Sequence, residues 1–217
     1  MKNKLTEIVF ILDRSGSMSG LESDTIGGYN SLLEKQKLTP GKVFISTILF
    51  NNFSEVIHDR LDLQKVSLMS EREYCAQGCT ALLDAIGGAI KHMGNIHKYA
   101  REEDRPENTL FIITTDGMEN SSRNYNYEQI KKLIQIEKEK YGWEFIFLGA
   151  NIDAIEVASR FGISEERAAN YNSDSEGTKL NFKIMDEEIQ NLRMSRSISP
   201  DWKKRIDKDY NKRNKKC

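Results

Sequence analysis

The sequence predicts an α/β fold: a doubly wound, mostly parallel open sheet with one antiparallel edge strand and helices on both faces. Three observations lead there. Four short apolar runs, Ile8–Leu12, Val43–Phe50, Leu110–Thr114 and Phe145–Leu148, are continuous rather than alternating, as strands covered on both faces require. Segments with apolar residues at spacings of three and four lie between them. Asn51-Asn52 separates Val43–Phe50 from a second extended piece, Ser54–Arg60, and the pair reads as a hairpin. The resulting order, βαββαβαβα, is that of an open sheet with crossover helices.

The elements follow in turn. The N-terminal MKNKLTEIVFILD superficially resembles a secretion signal. Its apolar core is too short, is preceded by Glu7, is stopped by Asp13 and has no small-residue cleavage site after it, so it is read as the first strand. After the hairpin, Leu82, Ala85, Ile86, Ala89, Ile90 and Met93 share one helical face. Ile130, Leu133 and Ile134 mark a second helix. Ile155, Val157, Ala158 and Phe161 mark a third, with Gly162 as its stop. A short strand is expected near Ala168–Tyr171. A last helix follows, Lys179–Met194, with Phe182, Met185, Ile189 and Leu192 turned to the sheet. The domain is thus placed at residues 5–194. Residues 195–217 form a basic tail with eight basic and three acidic side chains from Asp201 on, expected to be partly disordered.

Composition narrows the function. The 217 residues carry 32 basic and 33 acidic side chains, so global charge does not point to nucleic acid or membrane, and contact with either is expected only through the tail. No run of about twenty apolar residues exists to cross a membrane. Three cysteines, Cys75, Cys79 and Cys217, are too few and too odd for a disulfide framework. Cys75 and Cys79 read as reduced, partly buried thiols, although oxidation of Cys79 could displace its neighbour Thr80. The protein is expected to be cytoplasmic.

In such a sheet, ligands bind beyond the carboxyl ends of the strands, where the strand order reverses. The first strand ends in Asp13-Arg14-Ser15-Gly16-Ser17. The strand Leu110–Thr114 ends in Thr115-Asp116-Gly117, and a helix between them opens with Gly78-Cys79-Thr80. Asp13, Ser15, Ser17, Thr80 and Asp116 would then share one rim. Two carboxylates and three hydroxyls, with no thiolate or imidazole, form a hard oxygen set suited to Mg²⁺, or to Mn²⁺ or Ca²⁺, rather than to zinc or copper.

These three loops resemble the metal-ion-dependent adhesion site of von Willebrand factor A domains, whose fold is a Rossmann-like doubly wound sheet. All five expected positions are filled, in the expected order. The resemblance implies that Ser15 and Ser17 bind the metal directly and that Thr80 binds directly or through water. It implies that Asp13 and Asp116 hold coordinated waters and orient the hydroxyls. The remaining coordination position would take an Asp or Glu from a protein partner, without catalysis and without a small-molecule substrate. If the direct ligands are neutral hydroxyls, the cation keeps much of its charge and still attracts an anion, and the start of the helix after Thr80 adds to that attraction.

Other readings compete. Thr80 could cap its helix, and Ser17 or Ser19 the helix after the first strand. An EF-hand loop is excluded, because Met18 and Asp24 stand where such a loop has glycine and glutamate. A Mg²⁺-dependent phosphoester hydrolase using Asp13 as nucleophile is the enzymatic alternative, but Ser15 stands where its acid–base carboxylate belongs. No phosphate-cradling Gly-x-x-x-x-Gly-Lys occurs, and His58, His92 and His97 are scattered. Asn120, Arg123, Tyr125, Tyr127 and Asn151 lie near the rim as contact or loop residues.

Overall fold

β1 (Thr6–Asp13) forms the centre of the sheet, and all eight of its residues are buried. Its side chains alternate between two cores. Ile8, Phe10 and Leu12 enter one, Val9 and Ile11 the other. The structure, a computed structural model, describes residues 5–195 and 197–214. In chain order the elements after β1 are α1 (Glu22–Lys37), β2 (Val43–Phe50), β3 (Ser54–Asp62), α2 (Leu82–Tyr99), β4 (Asn108–Thr115) and α3 (Tyr127–Tyr141). Then come β5 (Glu144–Gly149), α4 (Ala154–Arg160), β6 (Ala168–Asn170), α5 (Ser175–Ser195) and α6 (Lys204–Asn214).

The strands lie in the order β3-β2-β1-β4-β5-β6. All neighbours are parallel except β2 and β3, the expected hairpin. One core packs the sheet against α1, α5 and Ile206 of α6, and the other packs it against α2, α3 and α4. The chain leaves β1 toward one edge and β4 toward the other, so the strand order reverses between them. Leu12 is level with Thr114 in the ladder, which brings the end of β1 beside the end of β4.

Local chemistry sets the helix ends. Asp153 caps α4 by accepting from the backbone of Ile155 and Glu156, and Gly162 ends the segment at φ 79°. Arg193 near the end of α5 donates to the carbonyls of Gln36, Thr39 and Pro40, so it closes the C-terminus of α1. The two helices pack so closely that a Cβ on Gly28 would lie 2.3 Å from Phe182 Cδ2, whereas one on Gly27 would meet nothing. Gly28→Ala is therefore expected to destabilise by about 1–3 kcal/mol through overpacking. Gly27→Ala should stabilise by about 0.5–1 kcal/mol through helix propensity. Denaturant midpoints of the two variants check the opposite signs.

Of the segment 195–217, expected to be partly disordered, the described residues 197–214 pack against the domain. Ile198, Trp202 and Ile206 are buried in the core that α1 and α5 share. The Trp202 indole donates to the Glu166 carbonyl at 2.7 Å, and Lys203 Nζ donates to the Glu165 and Ala168 carbonyls. Apolar residues four apart dock the segment, and its charges are met locally: Arg205 pairs with Glu187, and Arg213 with Asp174. Lys215, Lys216 and Cys217 lie outside the described residues. Among the described residues no helix is long and apolar enough to cross a membrane.

Candidate metal centre

The rim forms where three loops are bonded to one another. Gly16 donates to the Gly78 carbonyl at 3.0 Å, Gln77 to the Arg14 carbonyl at 2.9 Å, and Ala81 to the Asn51 carbonyl at 2.8 Å. Gly78 has φ 81°, and a Cβ there would lie 2.1 Å from Asn52 Oδ1, so glycine is required for this approach. Asn52 Oδ1 accepts from the backbone N–H of Cys79.

Asp13 is nearly sealed, at 1% exposure, and both its oxygens are engaged. Oδ1 accepts from the Ser15 N–H at 2.7 Å and Oδ2 from the Thr115 hydroxyl at 2.6 Å. Its main-chain carbonyl accepts from the Tyr74 hydroxyl. The Ser15 and Ser17 hydroxyls are 3.0 Å apart. Asp116 is buried; its Oδ2 accepts from Ser173 at 3.1 Å, and its Oδ1 has no partner.

The hydroxyls converge on one point beside Gly117. A Cβ at that glycine would lie 3.1 Å from Ser17 Oγ, 3.1 Å from Thr80 Oγ1 and 3.9 Å from Ser15 Oγ. The structure therefore brings Ser15, Ser17 and Thr80 around a single space, with the unpartnered carboxylate oxygen of Asp116 belonging to the same loop. Ser15, Ser17, Thr80 and Asp116 thus offer oxygen donors of the kind that fits a hard divalent cation. Among the described residues no cluster of three or more His, Cys, Asp or Glu offers an alternative centre.

The capping alternatives do not hold. Ala81 is the N-cap of α2 and Leu21 that of α1, and neither end has a side-chain cap. The Thr80 hydroxyl is thus not used by its helix. Asn120 holds the Thr80 loop from both sides: its Oδ1 accepts from the Thr80 N–H at 2.9 Å, and its N–H donates to the Thr80 carbonyl. It is a positioning residue, as is Asn151, which turns the chain after β5 at φ 55°. Tyr125 covers Gly87 of α2, and Tyr127 stacks on Phe161 with ring centroids 5.5 Å apart, so both rings serve packing. Glu119 already accepts from the Leu83 N–H at the start of α2, which offsets part of the positive end expected there. Cys75 and Cys79 are exposed, not partly buried.

Burial dominates the electrostatics. The Asp13 carboxyl is pushed above its ordinary range chiefly by desolvation; hydrogen bonds from Ser15 and Thr115 pull it back, and the Asp116 charge adds to the rise. Asp116 is likewise pushed up by burial, and the neighbouring Ser17 and Ser173 hydroxyls pull it back.

Ser173 and Thr115 were not singled out as site residues from the sequence. Thr115 stands next to Asp116 in the quoted motif. Ser173 arrives from the loop after β6, and no local pattern marks it. Beyond Ser173 the rim continues into a polar cleft of about 410 Å³ between Asn151, Asn170, Asn172 and Tyr210.

No family model matches the chain, and no curated protein matches it. Solved structures do. The manganese-loaded TRAP protein of Plasmodium vivax aligns with TM-score 0.58 and 16% identity over 84% of this chain and 74% of its own. A von Willebrand factor type A structure from Catenulispora acidiphila aligns with TM-score 0.57 and 18% identity over 86% of this chain and 42% of its own. Proximal thread matrix protein 1 from the mussel byssus aligns with TM-score 0.55 and 14% identity over 87% of this chain and 46% of its own. The chain spans less than half of these last two proteins. At such identities the likeness is one of fold, and with its antiparallel edge strand, central β1 and helices on both faces, this chain has the von Willebrand factor A fold.

Proposed function

We propose that the rim binds a divalent cation, Mg²⁺ in the first instance and otherwise Mn²⁺ or Ca²⁺, and that an Asp or Glu of a protein partner completes its coordination. The observation that carries this reading is the convergence of three hydroxyls on one point, beside a buried carboxylate oxygen that lacks a partner. Ser15, Ser17 and Thr80 would hold the cation. Asp116 Oδ1 would take a coordinated water, and Asp13 orients Ser15 through its N–H. Bound there, the cation supplies a positive centre for an incoming acid. The metal-loaded state of the Plasmodium protein supports the reading by analogy of fold.

The function is binding without catalysis. The hydrolase alternative needs a free, approachable Asp13 oxygen, and both oxygens are engaged and buried. The exposed free thiols of Cys75 and Cys79 support a reducing, cytoplasmic setting.

Two measurements test this. Calorimetric titration with Mn²⁺ and Mg²⁺ should show one site in the wild type and none in Asp116→Ala; equal binding by both would refute the assignment. Capture from lysate should retain a partner in Mg²⁺ and lose it in EDTA and with Asp116→Ala. The same partners in all three conditions would place the binding surface elsewhere.

A pH dependence follows. The raised carboxyls make the metal-free fold bind more protons than the unfolded chain. Their stabilising contribution is full below the unfolded carboxylate range and is lost as pH rises through the folded values. A cation that pairs with the ionised groups offsets that loss. The Mg²⁺-induced rise in melting temperature should therefore be larger in neutral than in mildly acidic buffer, and scanning calorimetry would reject the idea if the two rises were equal.

A further inference from the structure

Below the rim, the core encloses a cavity of about 20 Å³ between the sheet and helices α1 and α5. Phe10, Leu12 and Ile112 form an apolar wall, and Thr25, Thr178 and Asn181 supply the polar groups. These three polar side chains are 3%, 4% and 3% exposed. Yet Thr178 Oγ1, Asn181 Oδ1 and Asn181 Nδ2 have no hydrogen-bond partner.

Three orphaned polar atoms around one cavity call for an occupant, because buried polar groups in folded proteins are satisfied by protein or by ordered water. Helical threonines often return their hydroxyl to the carbonyl one turn back. Here the Leu21 and Asp174 carbonyls accept only the N–H of Thr25 and Thr178. The Tyr74 hydroxyl beside Thr25 has its single proton on the Asp13 carbonyl, so its oxygen accepts from the Thr25 hydroxyl, and the Thr25 oxygen stays open only as an acceptor. Thr178 and Asn181 stand three apart on one face of α5, and Thr25 is on α1.

The chemistry of the facing atoms selects the occupant. The Asn181 amide presents a nitrogen that only donates and an oxygen that only accepts, the Thr178 hydroxyl can do either, and the Thr25 oxygen accepts. A cation would face the amide hydrogens, and an anion would face the amide oxygen. What fits is a molecule that donates and accepts equally and fills the volume of about one water, since a buried water needs roughly 10–15 Å³ of such space.

We propose that this cavity holds one ordered water that bridges Thr25 of α1 to Thr178 and Asn181 of α5. Asp13 and Tyr74 line the same cavity. The water therefore fixes the first turns of α5 against α1 directly under the strand end that carries the rim, and it does so whether or not the rim holds a metal.

Crystals of the full chain at a resolution that shows ordered water test this, together with water-to-amide cross-relaxation at the Asn181 side chain in solution. We expect one density peak within hydrogen-bond distance of all three side chains and a cross-peak with the sign of a long-lived water. The double variant Thr25→Val/Thr178→Val, which keeps the Asn181 amide as the reporter, should lose both signals while keeping its circular dichroism spectrum. An empty cavity with no long-lived water at Asn181 would overturn the proposal, as would a peak at metal-ligand distances. If the double variant fails to fold, the wild-type crystal and solution measurements decide alone.

Discussion

Gly117→Ala is expected to remove Mg²⁺ binding while leaving the fold intact. The alanine Cβ would lie 3.1 Å from both Ser17 Oγ and Thr80 Oγ1, where it crowds the hydroxyls proposed to hold the cation. The backbone at 117 is outside the left-handed region, so alanine brings no conformational strain there. Loss of an outer-shell partner typically costs a metal site about 10–100-fold in affinity, and crowding of the hydroxyls themselves should cost at least that much. Titration with Mn²⁺ reads the affinity, and a melting curve in EDTA should match the wild type. Undiminished affinity would mean that the cation binds elsewhere and that the converging hydroxyls serve only the loop.

The largest stability effect is expected at the opposite end of β1. Glu7 is fully buried; its Oε2 lies 2.5 Å from His97 Nε2 and its Oε1 2.5 Å from Arg60 Nε. His97 is packed edge-on against Trp143, with ring centroids 5.1 Å apart, and cannot turn to solvent. Glu7→Ala removes the partner of both groups at once. Breaking a buried pair from one side costs about 3–5 kcal/mol, because the remaining polar group stays desolvated. For a chain of this size each kcal/mol lowers the melting temperature by about 2–4 °C, so a fall of roughly 6–20 °C is expected. Glu7→Gln keeps the shape and an acceptor for His97 and should lose less. Thermal melts in EDTA compare the two, and equal losses would show that the carboxylate charge, not the volume or a neutral acceptor, carries the effect.

The contrast between these two sites explains what could be read from the chain alone. Asp13, Ser15, Ser17, Thr80 and Asp116 occupy short local patterns at strand ends and a helix start, so topology brings them together without knowledge of distant contacts. Ser173 reaches Asp116 across 57 positions and has no such pattern. Glu7 looks like a polar boundary before an apolar run. Its burial depends on His97, ninety positions away, and on Arg60, so the first strand begins at Thr6 rather than Ile8. The C-terminal segment is a different kind of miss. Ile198, Trp202 and Ile206 recur every four residues, an apolar pattern present in the sequence but outweighed by the surrounding lysines and arginines, and only Ile206 lies within α6. Helix α5 likewise begins four residues before the expected Lys179, because its first turn is polar on the outside.

The packing of α6 bears on how the molecule behaves toward its own copies. A six-stranded open sheet has two edges whose free peptide groups can template another strand. β6 is only three residues long; α6 lies over it, and Lys203 occupies the Ala168 carbonyl. At the other edge, β3 is irregularly registered on β2 and carries Glu55, Asp59, Arg60 and Asp62. One edge is thus shielded by a folded cover and the other by charge and irregular register. The basic C-terminal segment has its place in this arrangement as a guard against strand-to-strand aggregation, a role that depends on three apolar residues rather than on its net charge.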